Sequence, residues 1–197
     1  LARKAGFTVP DDNFNKAIGD VRKSYESWFK GSSQIETDNE LFTAVLRSSQ
    51  RDIRMLETET GMGYFLSAGV PWFVTPFGRD TIITCLQIMM LDAHPATATA
   101  NVFTQLQGKV VDPWRDEEPG KIFHEVRRGE LANIRAIPHT PYFGSADSTP
   151  LYLIMLSDII KWTGNLEFAR GMVEPINRSL DWIDEYGDLD GDGFGEY

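Results

Sequence analysis

The chain has 197 residues, of which 42% are hydrophobic, 24% charged and 12% aromatic, a composition that excludes a disordered, collagen-like or low-complexity protein. Its formal net charge of −10 argues against a nucleic-acid partner, because a polyanion would be repelled. Lone Cys85 excludes an internal disulfide, no apolar run is long enough to span a membrane, and no signal sequence opens the chain, so we expect a cytoplasmic protein without a membrane partner.

Helical periodicity dominates the sequence, and alternating strand patterns are scarce. Apolar residues recur at three- and four-residue steps, as an amphipathic helix requires, first at Phe14, Ile18, Val21, Tyr25 and Trp28. We therefore predict an all-α protein with about six helices, which cover approximately residues 11–28, 37–56, 80–93, 96–111, 147–162 and 166–186.

The expected helix ends follow from capping residues. Asp11 and Asp12 are candidate caps for the first helix, and Thr37 and Asp38 are candidate caps for the second. Glycines are expected to end the first and fifth helices, and a proline predicts an irregularity in the sixth; these residues are Gly31, Gly164 and Pro175.

Two long connections interrupt the helices, at about 61–78 and 112–146. Structureless loops of this length are uncommon in compact domains and are usually functional. We therefore expect the function of the protein to lie in these two loops.

The first loop places the aromatic residues Trp72, Phe73 and Phe77 beside Arg79 and Asp80. Sugars have apolar C–H faces and polar hydroxyl edges, so aromatic rings next to a guanidinium and a carboxylate suit a sugar. The alternative is structural: Asp80 would cap the third helix, and Arg79 would pair with a carboxylate.

The second loop is rich in charge and ends beside the fifth helix. Paired carboxylates perform glycoside hydrolysis, but a solvated surface loop is also charged. Tyr142 and Phe143 adjoin Asp147, which is either a substrate ligand or the N-cap of the fifth helix. The carboxylates of the loop are Asp116, Glu117, Glu118, Glu125 and Glu130.

An Asp/Gly-rich turn follows the sixth helix. Asp188, Asp190, Asp192 and Gly193 match the first half of a calcium-binding loop. The glutamate expected at the twelfth loop position would fall beyond the sequence, and such turns also occur without metal. Ca²⁺ is thus the only cofactor for which the sequence offers candidate ligands.

Four blocks, in this order and spacing, make the sequence resemble the bacterial amylo-α-1,6-glucosidase (glycogen-debranching-enzyme-like) family: GVPWFVTPFGRDTIIT, EEPGKIFHEVRRGELA, PHTPYFGSADSTPLYL and DWIDEYGDLDGDGFGEY. The resemblance implies an (α/α)6 toroid of six helical hairpins. Residues 35–197 would be the N-terminal half of this catalytic barrel, and 1–34 a helical linker region. The chain would then be part of a longer glycosidase, with apolar helix faces left exposed.

The resemblance also implies the site and the reaction. Arg79 and Asp80 resemble the pair that holds the sugar in the −1 subsite, while the general acid and base are expected beyond Tyr197. The expected reaction is hydrolysis of α-glucosidic bonds with inversion, on a glycogen-like or oligosaccharide substrate. The alternatives are a trehalase- or glucoamylase-like glycosidase, a non-catalytic carbohydrate-binding module, and a calcium-regulated scaffold. The expected substrate-binding residues are Trp72, Phe77, Arg79, Asp80, His124, Glu125, Tyr142 and Asp147.

Overall fold

A computed structural model describes residues 14–196. The candidate caps Asp11 and Asp12 and the last residue, Tyr197, lie outside the described residues. Helices make up most of the described chain, which confirms the all-α prediction. The elements are α1 (Phe14–Gly31), α2 (Glu40–Leu56), β1 (Glu57–Thr60), β2 (Gly63–Leu66), α3 (Gly78–Ile88), α4 (His94–Leu106), α5 (Glu130–Asn133), α6 (Ser148–Thr163), α7 (Leu166–Gly171) and α8 (Val173–Tyr186).

The second helix starts later than its predicted caps. Asn39 is the N-cap of α2, and its side-chain oxygen accepts a hydrogen bond from the Phe42 N–H at 3.0 Å. The hydroxyl of Thr37 instead lies 3.1 Å from that of Thr43, so it orders the segment before the helix. The prediction of Thr37 and Asp38 as caps was therefore wrong.

The predicted sixth helix is two helices, α7 and α8. Pro175 has no N–H to donate to the carbonyl of Gly171, and its ring would collide with that carbonyl in a continuous helix. The chain therefore breaks at Met172 and restarts with Pro175 in the first turn of α8. The helix before them, α6, ends at Gly164 as predicted, with a left-handed φ of 62°.

A short hairpin precedes α3 where the sequence analysis predicted only helix and loop. β1 and β2 are antiparallel, with Thr60 opposite Gly63 across a two-residue turn. Strand β1 reads Glu-Thr-Glu-Thr and has no apolar alternation, so hydrophobic periodicity gave no signal for it. Phe65 and Leu66 of the second strand are buried, and β2 packs against α4.

The core lies between α3, α4, α6 and α8. Helix α6 contacts the other three, and its residues Tyr152, Leu156 and Ile159 are fully buried. Cys85 of α3 is also fully buried, and burial raises the pKa of its thiol to about 12. Burial of an aliphatic side chain of this core, such as Leu156 or Ile159, stabilises the fold by roughly 1.5–3 kcal/mol.

Among residues 14–196, no helix is both long enough and apolar enough to cross a bilayer.

Candidate functional site

The site begins where the N-termini of α3 and α6 meet. Gly78 is the first residue of α3, and a Cβ added to it would overlap the Ser148 hydroxyl and the carbonyl oxygen of Phe123. Its N–H donates to the carbonyl oxygen of His124 at 2.7 Å. Only glycine allows this close approach. The approach brings the residue after it, Arg79, to the start of α6.

Arg79 and Asp147, 68 positions apart in sequence, form an ion pair at this junction. Arg79 Nη1 lies 3.1 Å from Asp147 Oδ2, and both side chains are about half exposed. Partial burial raises the pKa of Asp147, but hydrogen bonds from Ser145 and Arg79 and the charge of Arg79 outweigh it, so the pKa lies below its ordinary value. The structural alternative for Arg79, pairing with a carboxylate, is thus observed.

Neither aspartate at the site caps a helix. Asp147 occupies the N-cap position of α6 but has helical backbone angles and makes no side-chain capping bond. Asp80 lies within the first turn of α3, whose N-cap is Phe77, and its side chain is exposed. The capping interpretations of both aspartates were therefore wrong, because Phe77 occupies the N-cap position of α3 and the Asp147 side chain makes no capping bond.

Three loop segments meet beside the ion pair through backbone bridges. Phe77 pairs with Glu125, and Glu125 pairs with Tyr142. The Tyr142 N–H donates to the Glu125 carbonyl at 2.9 Å, and the His124 N–H donates to the Tyr142 carbonyl at 2.7 Å. The His124 ring lies edge-on to Phe77 and Tyr142, at 5.8 and 6.3 Å between centroids. The structure thus brings these four expected residues together.

Glu125 is buried, with 7% of its surface exposed, and its carboxylate is already paired. Its Oε2 lies 2.6 Å from Arg127 Nε, and its Oε1 lies 2.9 Å from His139 Nε2. The guanidinium of Arg127 also lies over the rings of Phe73 and Phe77, at 5.1 and 5.3 Å. Glu125 therefore orders this side of the site.

Arg127 and His139 were not among the expected site residues. In an extended segment, residues 125 and 127 project to the same side, and that spacing was the available signal. No sequence pattern indicates His139. With Glu125 they line an open cleft of about 460 Å³, whose wall includes Leu131 and Ile137.

Trp72 stands apart from this cluster. It lies in the turn closed by the bridge between Gly69 and Phe73, and it is 82% exposed. Within residues 14–196 no aromatic ring or cation stacks on it. Among the described residues, Trp72 therefore does not join the ring contacts of Phe77, His124 and Tyr142.

The beginning of the second loop is held on α8 by buried Gln107. Its Nε2, which has two protons to donate, lies 3.0 Å from the carbonyl oxygens of Gly120 and Pro175 and 2.9 Å from the Ser179 hydroxyl, so these three acceptors share its N–H groups. Its Oε1 accepts from Arg178 Nε at 2.9 Å. The side chain thus bonds to groups of two segments at once, the second loop and α8, a role that residue type alone does not reveal.

Two carboxylates of this loop are structural. Glu118 Oε2 accepts from Trp182 Nε1 at 2.7 Å and from Lys121 Nζ at 3.0 Å. Buried Glu117 pairs with Arg115 and accepts from the Lys109 N–H. The interpretation of these two charges as a solvated surface is wrong, because their partners come from the folded loop and α8.

The Asp/Gly-rich turn brings its three aspartates together. Oxygens of Asp188, Asp190 and Asp192 lie within 4.8 Å of one another. However, the N–H groups of Gly193 and Phe194 donate to Asp188 and Asp192 at 3.0 and 2.8 Å. These bonds are sufficient to order the turn, so Ca²⁺ binding stays a prediction that a calorimetric titration with CaCl₂ would check.

Comparison with known proteins adds no family to this geometry, since no protein-family model matches the chain and no curated protein matches it either.

Proposed function

We propose that this chain forms the sugar-binding part of a glycoside hydrolase that acts on α-glucosidic bonds, similar to the bacterial amylo-α-1,6-glucosidases. The observation that carries the proposal is the exposed ion pair between Arg79 and Asp147, next to the clustered rings of Phe77, His124 and Tyr142. In this proposal the pair occupies the −1 subsite.

The chemistry of the pair suits vicinal hydroxyls. Arg79 has five N–H donors, of which Nη1 is directed at Asp147, and its side chain is 52% exposed. The carboxylate of Asp147 keeps further lone pairs. A sugar diol both donates and accepts, so it can bond to the guanidinium and the carboxylate together.

The aromatic rings supply the apolar complement. Phe77 and Tyr142 flank His124, and Phe77 is only partly buried, so a ring face remains available to a sugar. Trp72 would contribute if its turn moved towards the pair. The exposed carboxylate of Asp80 would accept from a further hydroxyl.

The helix arrangement supports the proposed partial (α/α)6 toroid. Helices α3 and α6 begin side by side, and α4 and α8 follow them as the second members of two hairpins. We propose that α3 and α6 belong to the inner ring, with residues 35–197 as half of the barrel and 1–34 as a linker region.

Hydrolysis with inversion needs a general acid and a general base about 6.5–9.5 Å apart, with water between them. We assign neither role to this chain. The obvious candidates, Glu118 and Glu125, are held by Trp182 and Lys121 and by Arg127 and His139. The residues of this chain would bind and orient the sugar while carboxyls from elsewhere act on it.

Calorimetric titration with panose, maltotriose and trehalose would test the sugar site. Arg79→Ala should weaken binding at least tenfold, because unpaired hydroxyl contacts cost about 1–3 kcal/mol each, without lowering the melting temperature. Arg170→Ala is the matched control, since Arg170 is exposed and lies on α7, away from the pair. Wild-type affinity in Arg79→Ala would refute the proposed subsite.

Product analysis of the natural protein acting on the same three sugars would test the reaction. Turnover of panose alone supports the debranching-like activity, whereas turnover of trehalose or maltotriose supports a trehalase- or glucoamylase-like enzyme. The anomer released first, followed by NMR, reports inversion. Affinity without turnover in the natural protein would favour a non-catalytic carbohydrate-binding module.

A further inference from the structure

The cap of α6 is Ser145, two residues before the N-cap position. Its Oγ accepts a hydrogen bond from the Ser148 N–H at 3.2 Å and lies 2.8 Å from the Ser148 hydroxyl. Asp147, the residue type expected to cap a helix, makes no such bond. The side chain of Asp147 is therefore released from capping.

The same hydroxyl also contacts the released carboxylate. Ser145 Oγ donates to Asp147 Oδ1 at 2.6 Å, a short bond that is typical of an ionised acceptor. A serine hydroxyl has one proton, so the bond between the two serines must run from Ser148 to Ser145. The result is a chain of hydrogen bonds from Ser148 through Ser145 to Asp147.

We propose that Ser145 is a positioning residue that holds the Asp147 carboxylate towards Arg79. One oxygen of Asp147, Oδ1, is fixed by Ser145, and this sets the rotation of the carboxylate so that Oδ2 faces Arg79 Nη1 at 3.1 Å. That Asp147 binds a sugar rests on the proposed function, but the hydrogen-bond chain does not.

Burial strengthens this chain of hydrogen bonds. Ser145 is 7% exposed and Ser148 is fully buried, so water competes little for their hydroxyls. A second constraint acts on the same atoms, since the Ser148 hydroxyl sits where any side chain at residue 78 would collide with it. The start of α3 thus packs closely against the Ser148 hydroxyl, the first member of the hydrogen-bond chain that orients Asp147.

The charged groups around Asp147 are few. Arg79 approaches from α3, and Asp80 lies in the same turn with its carboxylate exposed. In the neighbouring segment the Glu125 carboxylate is paired with Arg127, and the His124 ring packs on Phe77 and Tyr142. Partial burial opposes the shift, and the hydrogen bond from Ser145, the hydrogen bond and charge of Arg79, and the backbone N–H of Asp147 itself together lower the pKa of Asp147.

The test is an NMR titration of the Asp147 carboxyl carbon in the full chain. Ser145→Ala should raise the pKa of Asp147, and Ser148→Ala should raise it less, because it removes only the first hydroxyl of the chain. Ser145→Thr restores the hydroxyl and should return the pKa towards that of the wild type. Thr163→Ala, which removes a hydroxyl bonded at 2.7 Å at the other end of α6, is the control for general weakening of that helix.

Maltotriose affinity near neutral pH is the second readout, and about a fivefold loss is expected in Ser145→Ala. An unchanged Asp147 titration in folded Ser145→Ala overturns the proposal. If that variant does not fold, an unchanged titration in Ser148→Ala overturns it instead. A raised pKa in a chain that binds no sugar would support the positioning role and reject the proposed sugar site.

Discussion

The first two helices and the helices of the core differ in sequence and in surroundings: α1 and α2 are polar helices with one apolar stripe, whereas α3, α4 and α6 are more apolar overall. No residue of the 18 in α1 is buried, and α2 buries only Gln50, whereas α3 buries five of its 11 residues. In α1, Phe14 is 76% exposed, although it begins a regular apolar stripe. Periodicity thus reports which face of a helix is apolar, and not whether anything covers that face.

The two regions are also attached differently. Trp28 of α1 donates to Glu57 at 2.6 Å, and Arg54 of α2 lies over the ring of Tyr25 at 5.5 Å. By contrast, α3 and α6 meet through fully buried apolar side chains. A region held by a few polar contacts opens at lower free energy than a packed core, so we expect α1 to lose its structure first.

Truncating one phenylalanine in each region should give the largest difference. Phe103 is fully buried beside Phe123, at 4.6 Å between ring centroids, so Phe103→Ala should cost about 3–5 kcal/mol. Phe14→Ala should change stability by less than about 0.5 kcal/mol. Urea unfolding followed by circular dichroism measures both. Equal losses would mean that the apolar stripe of α1 is covered in solution.

Glycine substitutions should differ between the regions in sign. Gly78→Ala forces a methyl group against Ser148 and the Phe123 carbonyl, so we expect a loss of about 1–3 kcal/mol. Gly19 lies inside α1 with no atom within 4 Å of an added Cβ, and Gly19→Ala should stabilise α1 by up to about 1 kcal/mol. Unfolding of the two variants, with hydrogen exchange for α1, checks this. A neutral Gly78→Ala would contradict the close junction of α3 and α6.

The contrast between the regions also marks what the sequence could predict. Helix existence was predictable, since α1 and α2 follow apolar periodicity and α6 ends at its glycine. The strand pair was not, because its first strand lacks any apolar alternation. In general, propensity describes one segment, while strand pairing depends on a second one.

The candidate site divides in the same way. Residue type and loop position indicated Arg79 and Asp147 separately, but their ion pair depends on the glycine contact between two helices. The contacts of Gln107 also depend on the tertiary fold, since its partners lie up to 72 positions away. Such contacts are tertiary, so no local sequence pattern predicts them.

The smallest predicted effect is a difference in pH dependence between the two regions. Burial raises the pKa of Glu57, which the hydrogen bond from Trp28 and the charge of Arg54 only partly offset. A raised pKa in the folded state stabilises the docking of α1 below the ordinary value of 4.5, and this stabilisation is lost as the pH rises through the raised value. The pKa of Asp147 is lowered, so its contribution is present above 3.8 and is lost as the pH falls.

Acidification should therefore tighten the attachment of α1 while it weakens the Arg79–Asp147 pair. Hydrogen-exchange protection factors of α1 and of the first turn of α6, compared between pH 7 and a pH below 3.8, measure the two effects separately. Glu57→Gln keeps an oxygen that accepts from Trp28 but cannot ionise, so it should remove the pH dependence in α1 and leave α6 unchanged. If α1 lost protection on acidification in the wild type, the attachment would depend on the ionised carboxylate and its pairing with Arg54 rather than on the buried, protonated acid.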